Sequence, residues 1–482
     1  MKLVKQIFSH ARLHESSPAI AHPGGVATYG TLARMVEAAI VVIETLALPN
    51  GTPVMLDVRN PVQHTALMLA LALLGMPSAS VSAAFSVEKA GVLPGLFLTD
   101  RDVTLAGVRE VKVDDRWFAH DPAVAVDYPR LAQLPGFPSA DDVVRYVYSS
   151  GTTGYPKCVA LTQGVLELRI FHTMMTTLVG NGTAGLNMLG FSTIAGIMAP
   201  LLTLPSGMLL CFANGNAEAL AMVRLFNVSM LSLAVVQLDG MLRLLVDQPP
   251  PPSLRLVAVG GSRLPVRLLN EARARLCPNI VMGYGSTEAG GMTNGTAAVI
   301  ERNEGSAGYV RPWVELEAVD ANGDVVPPGA DGILRVRSPE MASYASDAGD
   351  PVEMIRDGWF YPGDVGRIHS DGLVVIVGRT TEVINRGGVI VAPDLVEEVL
   401  RRDPVVRDVA VVGVPVNGIE EIWAAVVSDD VFDAQAIGER AYALLNEKTP
   451  NRILRIDAVP RNENGKVLRS ALRDTLLSRV TA

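Results

Sequence analysis

Residues 148 to 157 read Tyr148-Ser149-Ser150-Gly151-Thr152-Thr153-Gly154-Tyr155-Pro156-Lys157. This stretch directly follows a short run, Arg145 to Tyr148, that is typical of a buried strand. Its two glycines and four hydroxyl side chains offer backbone N–H groups and side-chain donors to an oxyanion. It is not a Walker A loop, because Pro156 precedes the lysine and Cys158 follows it. The stretch therefore predicts a phosphate-binding loop at the end of a strand.

Two more runs of the same kind end in polar, glycine-rich loops. Leu254 to Val259 runs into Gly260-Gly261, and Ile280 to Met282 runs into Gly283. Such buried strands, separated by helical patterns, are typical of parallel α/β sheets. Ligands of these sheets bind at the carboxyl ends of the strands, so the three loops predict one common site.

The pattern changes twice in the last third of the chain. The alternating runs 314–319 and 333–337 predict half-exposed antiparallel strands. Residues after Arg379 predict a compact α+β unit of mixed helices and strands. The predicted fold class is therefore α/β: a large N-terminal region of parallel-type α/β layers plus a small antiparallel barrel-like part, followed by a small mobile α+β C-terminal domain. The predicted domains are 1–379 and 380–482, with a hinge at 379–382.

Composition excludes several classes of protein. Of the 482 residues 49% are hydrophobic and 19% are charged, which excludes a disordered chain. The formal charge of −9 disfavours a nucleic-acid partner. The three cysteines are odd in number and far apart, so we expect free thiols in a reducing compartment. No secretory signal is visible at the N-terminus, and the expected location is the cytoplasm.

One segment raises the question of a membrane span. Residues 170–217 contain no Asp, Glu, Lys or Arg, a gap of 48 residues. Its most apolar part, 191–212, contains clustered glycines and prolines and lacks flanking basic residues, which fits turns around buried elements better than a bilayer helix. The shorter apolar run 65–76 predicts a buried helix. We therefore expect no integral membrane span.

The stretch 148–157 closely resembles the signature phosphate loop of the adenylate-forming superfamily, which includes acyl-CoA synthetases, luciferases and the adenylation domains of peptide synthetases. Further stretches resemble this family's other motifs, in the family's order. They are the adenine loop Val259-Gly260-Gly261-Ser262, the core motif Gly283-Tyr284-Gly285-Ser286-Thr287-Glu288, the ribose motif Gly358 to Asp364, Gly378-Arg379, Gly387-Gly388 and the terminal motif Pro460 to Lys466.

The resemblance implies a reaction in two halves, with ATP, Mg²⁺ and CoA taking part. A carboxylate attacks the α-phosphate of ATP, and a thiol then attacks the acyl-adenylate. The implied catalytic residues are Lys466, Thr287 and Glu288, with Glu288 also holding the metal. The implied ATP- and AMP-binding residues are Ser149, Ser150, Gly151, Thr152, Thr153, Gly154, Lys157, Gly260, Gly261, Ser262, Gly283, Tyr284, Gly285, Ser286, Asp364 and Arg379.

The resemblance also assigns the acyl pocket, the thiol tunnel and the hinge. The implied pocket residues are Phe191, Thr193, Gly196 and Gly285, the tunnel residues are Gly387 and Gly388, and the hinge residue is Thr381. Amino-acid-activating relatives place an aspartate near this pocket, and the charge-free segment contains none, so an α-amino acid substrate is disfavoured. It also lacks an arginine for a second carboxylate, which disfavours dicarboxylic acids. We expect an apolar monocarboxylate, aliphatic or aryl.

Several alternatives stay open at this point. The thiol acceptor is CoA or, as an alternative, the phosphopantetheine of a carrier protein. A non-catalytic nucleotide-binding paralogue is the alternative from another class. The sequence also departs from the family at Pro362, where threonine is usual, and at Thr381, where Lys or Asp is usual. The protein is expected to be a monomer or a homodimer.

Overall fold

The structure is a computed structural model of the whole chain. It describes residues 2–81, 94–105, 107–121, 123–150, 156–177, 184–246, 248–303, 305–344, 354–380, 382–386, 389–416, 419–428, 432–461 and 467–481. The side chains of residues 149, 150, 156, 385, 389, 390, 419 and 481 are also outside this description.

The helices carry most of the apolar segments that the sequence marks as buried. Several begin at a side-chain cap: Thr28, Asn60 and Thr193 each accept a hydrogen bond from a backbone N–H of the first turn. The helices are α1 (Lys2–Leu13), α2 (Tyr29–Thr45), α3 (Pro61–Leu73), α4 (Tyr128–Gln133), α5 (Gln163–Thr177), α6 (Ile194–Thr203), α7 (Asn216–Leu225), α8 (Val235–Leu244), α9 (Val266–Arg275), α10 (Ala297–Arg302), α11 (Pro393–Arg401), α12 (Ala434–Leu445) and α13 (Arg469–Thr481).

The strands are short in the N-terminal half and longest near the C-terminus. They are β1 (Pro18–His22), β2 (Gly25–Thr28), β3 (Val54–Asp57), β4 (Ser78–Ser80), β5 (Leu96–Thr99), β6 (Glu110–Lys112), β7 (Val143–Ser150), β8 (Pro156–Thr162), β9 (Ala184–Asn187), β10 (Leu209–Cys211), β11 (Met230–Ala234), β12 (Leu256–Gly260), β13 (Ile280–Met282), β14 (Gly285–Ser286), β15 (Gly290–Gly291), β16 (Thr293–Thr296), β17 (Ser306–Val310), β18 (Glu315–Val319), β19 (Gly332–Arg337), β20 (Ser343–Tyr344), β21 (Ile355–Arg356), β22 (Trp359–Phe360), β23 (Asp364–Ile368), β24 (Leu373–Arg379), β25 (Ile384–Arg386), β26 (Val389–Val391), β27 (Val406–Val416), β28 (Ile419–Ser428) and β29 (Arg452–Arg455).

The chain divides into two compact units. The first contains residues 1–302, 308–315 and 336–360, and the second contains 303–307, 316–335 and 361–482. In the first unit, strands β10, β9, β11, β12 and β13 lie side by side and parallel in that order. A second sheet of this unit has the order β20-β8-β7-β4-β3-β5-β6, parallel from β7 to β6. Strands β3, β5, β9 and β10 are buried along their whole length, as their near-continuous apolar sequences predict, while β11 and β12 alternate between buried and half-buried residues.

The second unit has antiparallel strands and then an α+β part. Its strands β23 and β24 form an antiparallel pair, and β27, β28 and β29 form a sheet with helices on both faces. The side chains of β27 alternate between these faces: Val409 and Val411 belong to the cluster with α11 and α12, and Ala410 and Val412 to the cluster with α13. The predicted α/β fold class, with parallel layers, an antiparallel part and an α+β C-terminal part, is confirmed.

Two sequence expectations can be compared with these elements. The apolar run 65–76 lies mostly in α3, whose side chains are largely buried. No helix within the described ranges is long and apolar enough to cross a membrane, and the charge-free segment contains the ten-residue helix α6. All three cysteines are buried free thiols. The boundary at 379/380 stays a prediction.

A largely buried ion-pair cluster connects helices α11 and α13 in the C-terminal part. The guanidinium of Arg469, at the start of α13, donates to Oε1 of Glu397 at 2.7 Å and to the carboxylate of Glu382 at 3.0 Å. It also reaches Asp394 at 2.7 Å. Burial alone would raise the pKa of Glu397, but the charges of Arg469 and Arg401 hold it below its usual value.

We expect Arg469→Met to destabilise the C-terminal part by about 3–5 kcal/mol, because it leaves the Glu397 carboxylate buried without its main partner. Denaturant unfolding at pH 7 measures the loss. Since the pKa of Glu397 is lowered, this stabilisation is present above its unfolded pKa of about 4.3 and disappears as the pH falls through the folded value. The exposed Arg402, which pairs with Glu398, provides the control, since Arg402→Met should cost about 0.5 kcal/mol. Equal losses in the two variants would contradict the expectation.

Candidate active site

Three of the predicted loops lie along one edge of the first sheet. Strands β9, β12 and β13 are parallel, and β11 lies between β9 and β12, so their carboxyl ends face the same edge. The segments that leave this edge are 188–193, 261–262 and 283–288. The structure therefore places the predicted acyl-pocket segment, the adenine loop and the core motif at one edge, as expected for parallel strands. The strand that precedes the phosphate loop, β7, belongs to the second sheet, so the three glycine-rich loops do not follow strands of one sheet. Residues 151–155 of that loop lie outside the described residues.

The core motif folds into a small hairpin. Strand β14 pairs with β15, and Tyr284 accepts hydrogen bonds at its carbonyl from the N–H groups of Met292 and Thr293, at 2.8 and 3.1 Å. The hydroxyl of Ser286 accepts a bond from Ala289 N at 3.0 Å. Gly283 and Gly285 are exposed, while Tyr284, Thr287 and Glu288 are half-buried. The side chains that the resemblance assigns to ATP therefore lie at the tip of the β14–β15 hairpin, which these hydrogen bonds hold in place.

A buried arginine holds the backbone of this hairpin. Arg169 lies in α5, and its side chain is almost fully buried. Its guanidinium donates to the carbonyl of Thr287 at 2.9 Å and to the carbonyl of Glu288 at 3.0 Å. Two further bonds reach the carbonyl of Glu340, at 2.9 and 2.6 Å. Burial lowers the pKa of Arg169 to about 10, so the group stays charged at neutral pH.

The carboxylate of Glu340 supports the same hairpin from the other side. Its Oε2 accepts a bond from Gly291 N at 3.1 Å. Its Oε1 accepts a bond from Trp313 Nε1 at 3.0 Å and lies 2.7 Å from His172 Nδ1. The rings of His172 and Trp313 stack with their centroids 3.8 Å apart. We call Arg169, Glu340, His172 and Trp313 the bracing cluster.

Sequence reasoning missed the bracing cluster. Arg169 directly precedes the charge-free segment, and Leu166, Arg169 and Ile170 fall on one buried helix face. A charged residue within such an apolar stripe is the signal that would have found it. Glu340 carries no comparable local signal, since its partners are far away in the sequence.

The predicted acyl-pocket residues take specific structural positions. Phe191 stacks on His64, with ring centroids 4.1 Å apart. The hydroxyl of Thr193 caps α6 by accepting a bond from Gly196 N at 3.0 Å, and it donates to Gly190 O at 2.9 Å. Gly196 is buried, and a Cβ there would collide with the carbonyl of Gly190. Thr193 and Gly196 thus shape the backbone of this segment, while Phe191 contributes a ring to its interior.

In the second unit, Asp364 and Arg379 form an ion pair. They are opposite each other in the β23–β24 pair, with Nε of Arg379 2.9 Å from Oδ1 of the buried Asp364. Arg379 also donates to the carbonyl of Pro362 at 2.6 Å. Proline lacks an N–H, but its carbonyl still fixes the guanidinium. The two residues assigned to the ribose are therefore adjacent.

The structure describes only some of the remaining predicted site residues. Lys157 is described, and its Nζ lies 2.7 Å from Sδ of Met354. The backbone of Ser149 and Ser150 ends β7, but their side chains are not described. The residues outside the described ranges are Gly151, Thr152, Thr153, Gly154, Thr381, Gly387, Gly388 and Lys466.

The resemblance assigns one carboxylate, Glu288, to Mg²⁺. Among the described residues, no group of three or more His, Cys, Asp or Glu side chains could hold a metal ion. Mg²⁺ in nucleotide enzymes is held by one or two carboxylates together with substrate phosphates. The half-buried Glu288, whose Oε1 lies 3.5 Å from the hydroxyl of Tyr344, fits that role.

We expect Glu340→Gln to loosen the hairpin and weaken ATP binding. An amide has one acceptor oxygen and presents an N–H₂ group to a neighbouring donor, which costs about 1–3 kcal/mol. Calorimetric ATP titration and hydrogen exchange of amides 285–291 measure the two effects. The exposed pair Arg273–Glu301 supplies the control Glu301→Gln, which should change neither. Unaltered exchange and ATP affinity in Glu340→Gln would show that the carboxylate does not hold the hairpin.

The family models match both parts of the chain. The model described as AMP-binding enzyme matches residues 7–344, and the model described as AMP-binding enzyme C-terminal domain matches residues 395–466. The first match alone covers more than half of the chain.

Individual relatives agree with these matches. The indoleacetate–CoA ligase of Aromatoleum aromaticum is 31% identical over 363 residues, which cover 69% of this chain and 67% of that protein. The fatty acid–[acyl-carrier-protein] ligase ScoC of Streptomyces coeruleorubidus is 30% identical, with 69% and 67% covered. The solved o-succinylbenzoate CoA synthetase of Bacillus subtilis, in complex with its acyl-adenylate intermediate, is 22% identical with a TM-score of 0.85, covering 98% of both chains. The same enzyme has also been solved with ATP and a magnesium ion, with a TM-score of 0.84, 23% identity, and 98% of this chain and 99% of that chain covered.

These matches confirm the predicted enzyme class, an AMP-forming acid–thiol ligase. A nucleotide-binding family is also consistent with the adenine loop and the core motif lying at one edge of the first sheet. The chain belongs to the AMP-binding enzyme family.

Proposed function

We propose that this enzyme uses ATP to activate a carboxylic acid with an apolar body and transfers the acyl group to the thiol of CoA. The observation that supports it most directly is the single sheet edge shared by the acyl-pocket segment, the adenine loop and the core motif. The family membership provides the reaction class. The proposed location is the cytoplasm, in agreement with three buried free thiols, and the proposed state is a monomer or homodimer.

In the first half-reaction a carboxylate oxygen of the acid forms a bond to the α-phosphorus of ATP. The bond from that phosphorus to the α,β-bridging oxygen breaks, and pyrophosphate leaves. Such a transfer needs in-line positioning and donors aimed at the developing charge. Thr287 is assigned to the α-phosphate, and Ser149, Ser150, Thr152 and Thr153 to the β- and γ-phosphates. Glu288 would hold Mg²⁺, which when bound neutralises phosphate charge.

In the second half-reaction the thiol sulfur attacks the adenylate carbonyl carbon, the thiol proton is lost, and AMP leaves. Gly387-Gly388 is assigned to the passage for the pantetheine arm, where a side chain would obstruct it. A swing about Arg379–Glu382 would exchange Lys466 for this passage between the two half-reactions. Glu382 pairs with Arg469, so the hinge is directly connected to the helix that follows the terminal motif.

The charge-free segment supplies Phe191 and the apolar face of α6, which fits an aliphatic chain or a ring. The relative named for indoleacetate makes aryl acids a suitable starting point, and the relative named for an acyl-carrier-protein substrate supports the carrier-protein alternative.

We expect pyrophosphate release with at least one member of a panel of aliphatic and aryl acids, and CoA-dependent AMP formation with the same acid. The measurement is coupled pyrophosphate and AMP detection, with and without CoA. Release of pyrophosphate without CoA-dependent AMP would favour the carrier-protein ligase. Absence of release with every acid would favour the non-catalytic paralogue and overturn the proposal.

We expect Lys466→Ala to lower the adenylation half-reaction by about 10²–10³-fold, the scale for loss of one charge-stabilising donor. Transfer from a supplied acyl-adenylate to CoA should change much less, because the lysine serves only the first half. Lys448→Ala removes the same charge elsewhere in the C-terminal part and serves as the control. Equal losses in both half-reactions of Lys466→Ala would refute this division of roles.

A further inference from the structure

A second buried arginine lies in the second sheet, and the mechanism above does not use it. Arg145, in β7, is 2% exposed. Its Nη1 donates to Ser78 Oγ at 2.6 Å and its Nη2 donates to Ser80 Oγ. Its Nε is buried without a hydrogen-bond partner. It forms no ion pair with any carboxylate in the described ranges, whereas the charges of Glu340 and Glu288 act on Arg169.

The neighbours of Arg145 do not compensate its charge. Burial lowers its pKa to about 9, which leaves the guanidinium charged at neutral pH. The nearest titratable group is His64, whose Nε2 lies 2.7 Å from Ser80 Oγ. Burial, and then the charge of Arg145, lower the pKa of His64 to about 3, so this imidazole is neutral. A buried charge with only hydroxyl partners is stabilised best by an anion that the described chain does not supply.

A small cavity opens beside this guanidinium. It measures about 20 Å³, enough for one water molecule. Ser78 and Arg145 form its polar end, and its other walls are apolar. Ile197 and Leu201 of those walls belong to α6, which begins directly after the predicted acyl-pocket segment.

The cavity is connected to that segment through side chains. Phe191 stacks on His64, and His64 shares the hydroxyl of Ser80 with Arg145. A substrate that lies along Phe191 would therefore be linked to the guanidinium through His64 and Ser80. The charge-free segment lacks an arginine, but the fold places one next to it from β7.

Resting on the proposed function, we propose that Arg145, with Ser78 and Ser80, binds a second carboxylate at the far end of an acid whose body is apolar. The substrate class is then a dicarboxylic acid rather than a monocarboxylic one. A carboxylate is larger than one water molecule, so its entry requires the Phe191–His64 ring pair to move. The two serine hydroxyls would turn to donate to the incoming anion, and the unpaired Nε becomes available as a donor.

The test compares matched acids on the full-length enzyme. Straight-chain monocarboxylates and α,ω-dicarboxylates of equal carbon number are assayed by pyrophosphate release with wild type, Arg145→Met and Arg145→Lys. At the optimal length, wild type should favour the dicarboxylate by about tenfold or more in kcat/KM, because a buried donor set rejects a ligand that leaves it unpaired. Arg145→Met should abolish this preference, and Arg145→Lys should restore part of it. A ratio that does not depend on residue 145, or a wild-type preference for monocarboxylates, overturns the inference.

A binding measurement guards against misfolding and separates this inference from the proposed function. Thermal unfolding without ATP should show a higher Tm for wild type with the dicarboxylate than with the monocarboxylate, and no such difference for Arg145→Met. If no acid releases pyrophosphate from wild type, the proposed function fails, yet this shift still tests the anion site. An equal shift from sodium chloride at the same ionic strength would identify a general salt effect and overturn the site.

Discussion

The hydrogen bonds from the guanidinium of Arg169 to three backbone carbonyls organise the centre of the first unit. They join α5 to the core-motif hairpin and to the segment that carries Glu340, which follow Arg169 by 118 and 171 residues along the chain. Charge-assisted bonds of this kind contribute about 1.5–3 kcal/mol each when buried. The hairpin is short and exposed at its tip, so these bonds and the Glu340 carboxylate hold it in place. The positions of Thr287 and Glu288 depend on them.

The buried arginines of the first unit differ in how their charge is compensated. Arg169 is surrounded by carbonyls, with the charges of Glu340 and Glu288 nearby. Arg145 has only two hydroxyls and an unpaired Nε. Arg169 therefore has a structural role, because the chain itself supplies its electrostatic partners. Arg145 has no anionic partner among the described residues. Burial alone does not distinguish them.

Local pattern was sufficient to predict the strands and loops that position the site. The run Ile280 to Met282 forms β13 with those bounds, and the buried helix expected over 65–76 lies mostly in α3. These elements are encoded by neighbouring residues, through periodicity and turn residues. The bracing cluster and the Arg145 site are not, because they join residues such as Arg169 and Glu340 that meet only in the folded chain. The proposed second carboxylate of the acid depends on the same kind of contact. The composition of the charge-free segment indicates an apolar pocket, but it does not indicate that Arg145 is linked to this segment in the folded chain.

The close approach of Gly196 to Gly190 has a consequence for changing the acid that the enzyme accepts. At this point two backbone segments touch, so the interior of the pocket segment cannot be made smaller by adding a side chain at residue 196 without moving the loop itself. In the proposed acyl pocket, selection for the size of the acid would then depend on side chains such as Phe191 and its neighbour Phe212, whose rings lie 5.3 Å apart. A redesign for longer or bulkier acids would therefore begin with the volume of these two rings and leave the glycine pair untouched.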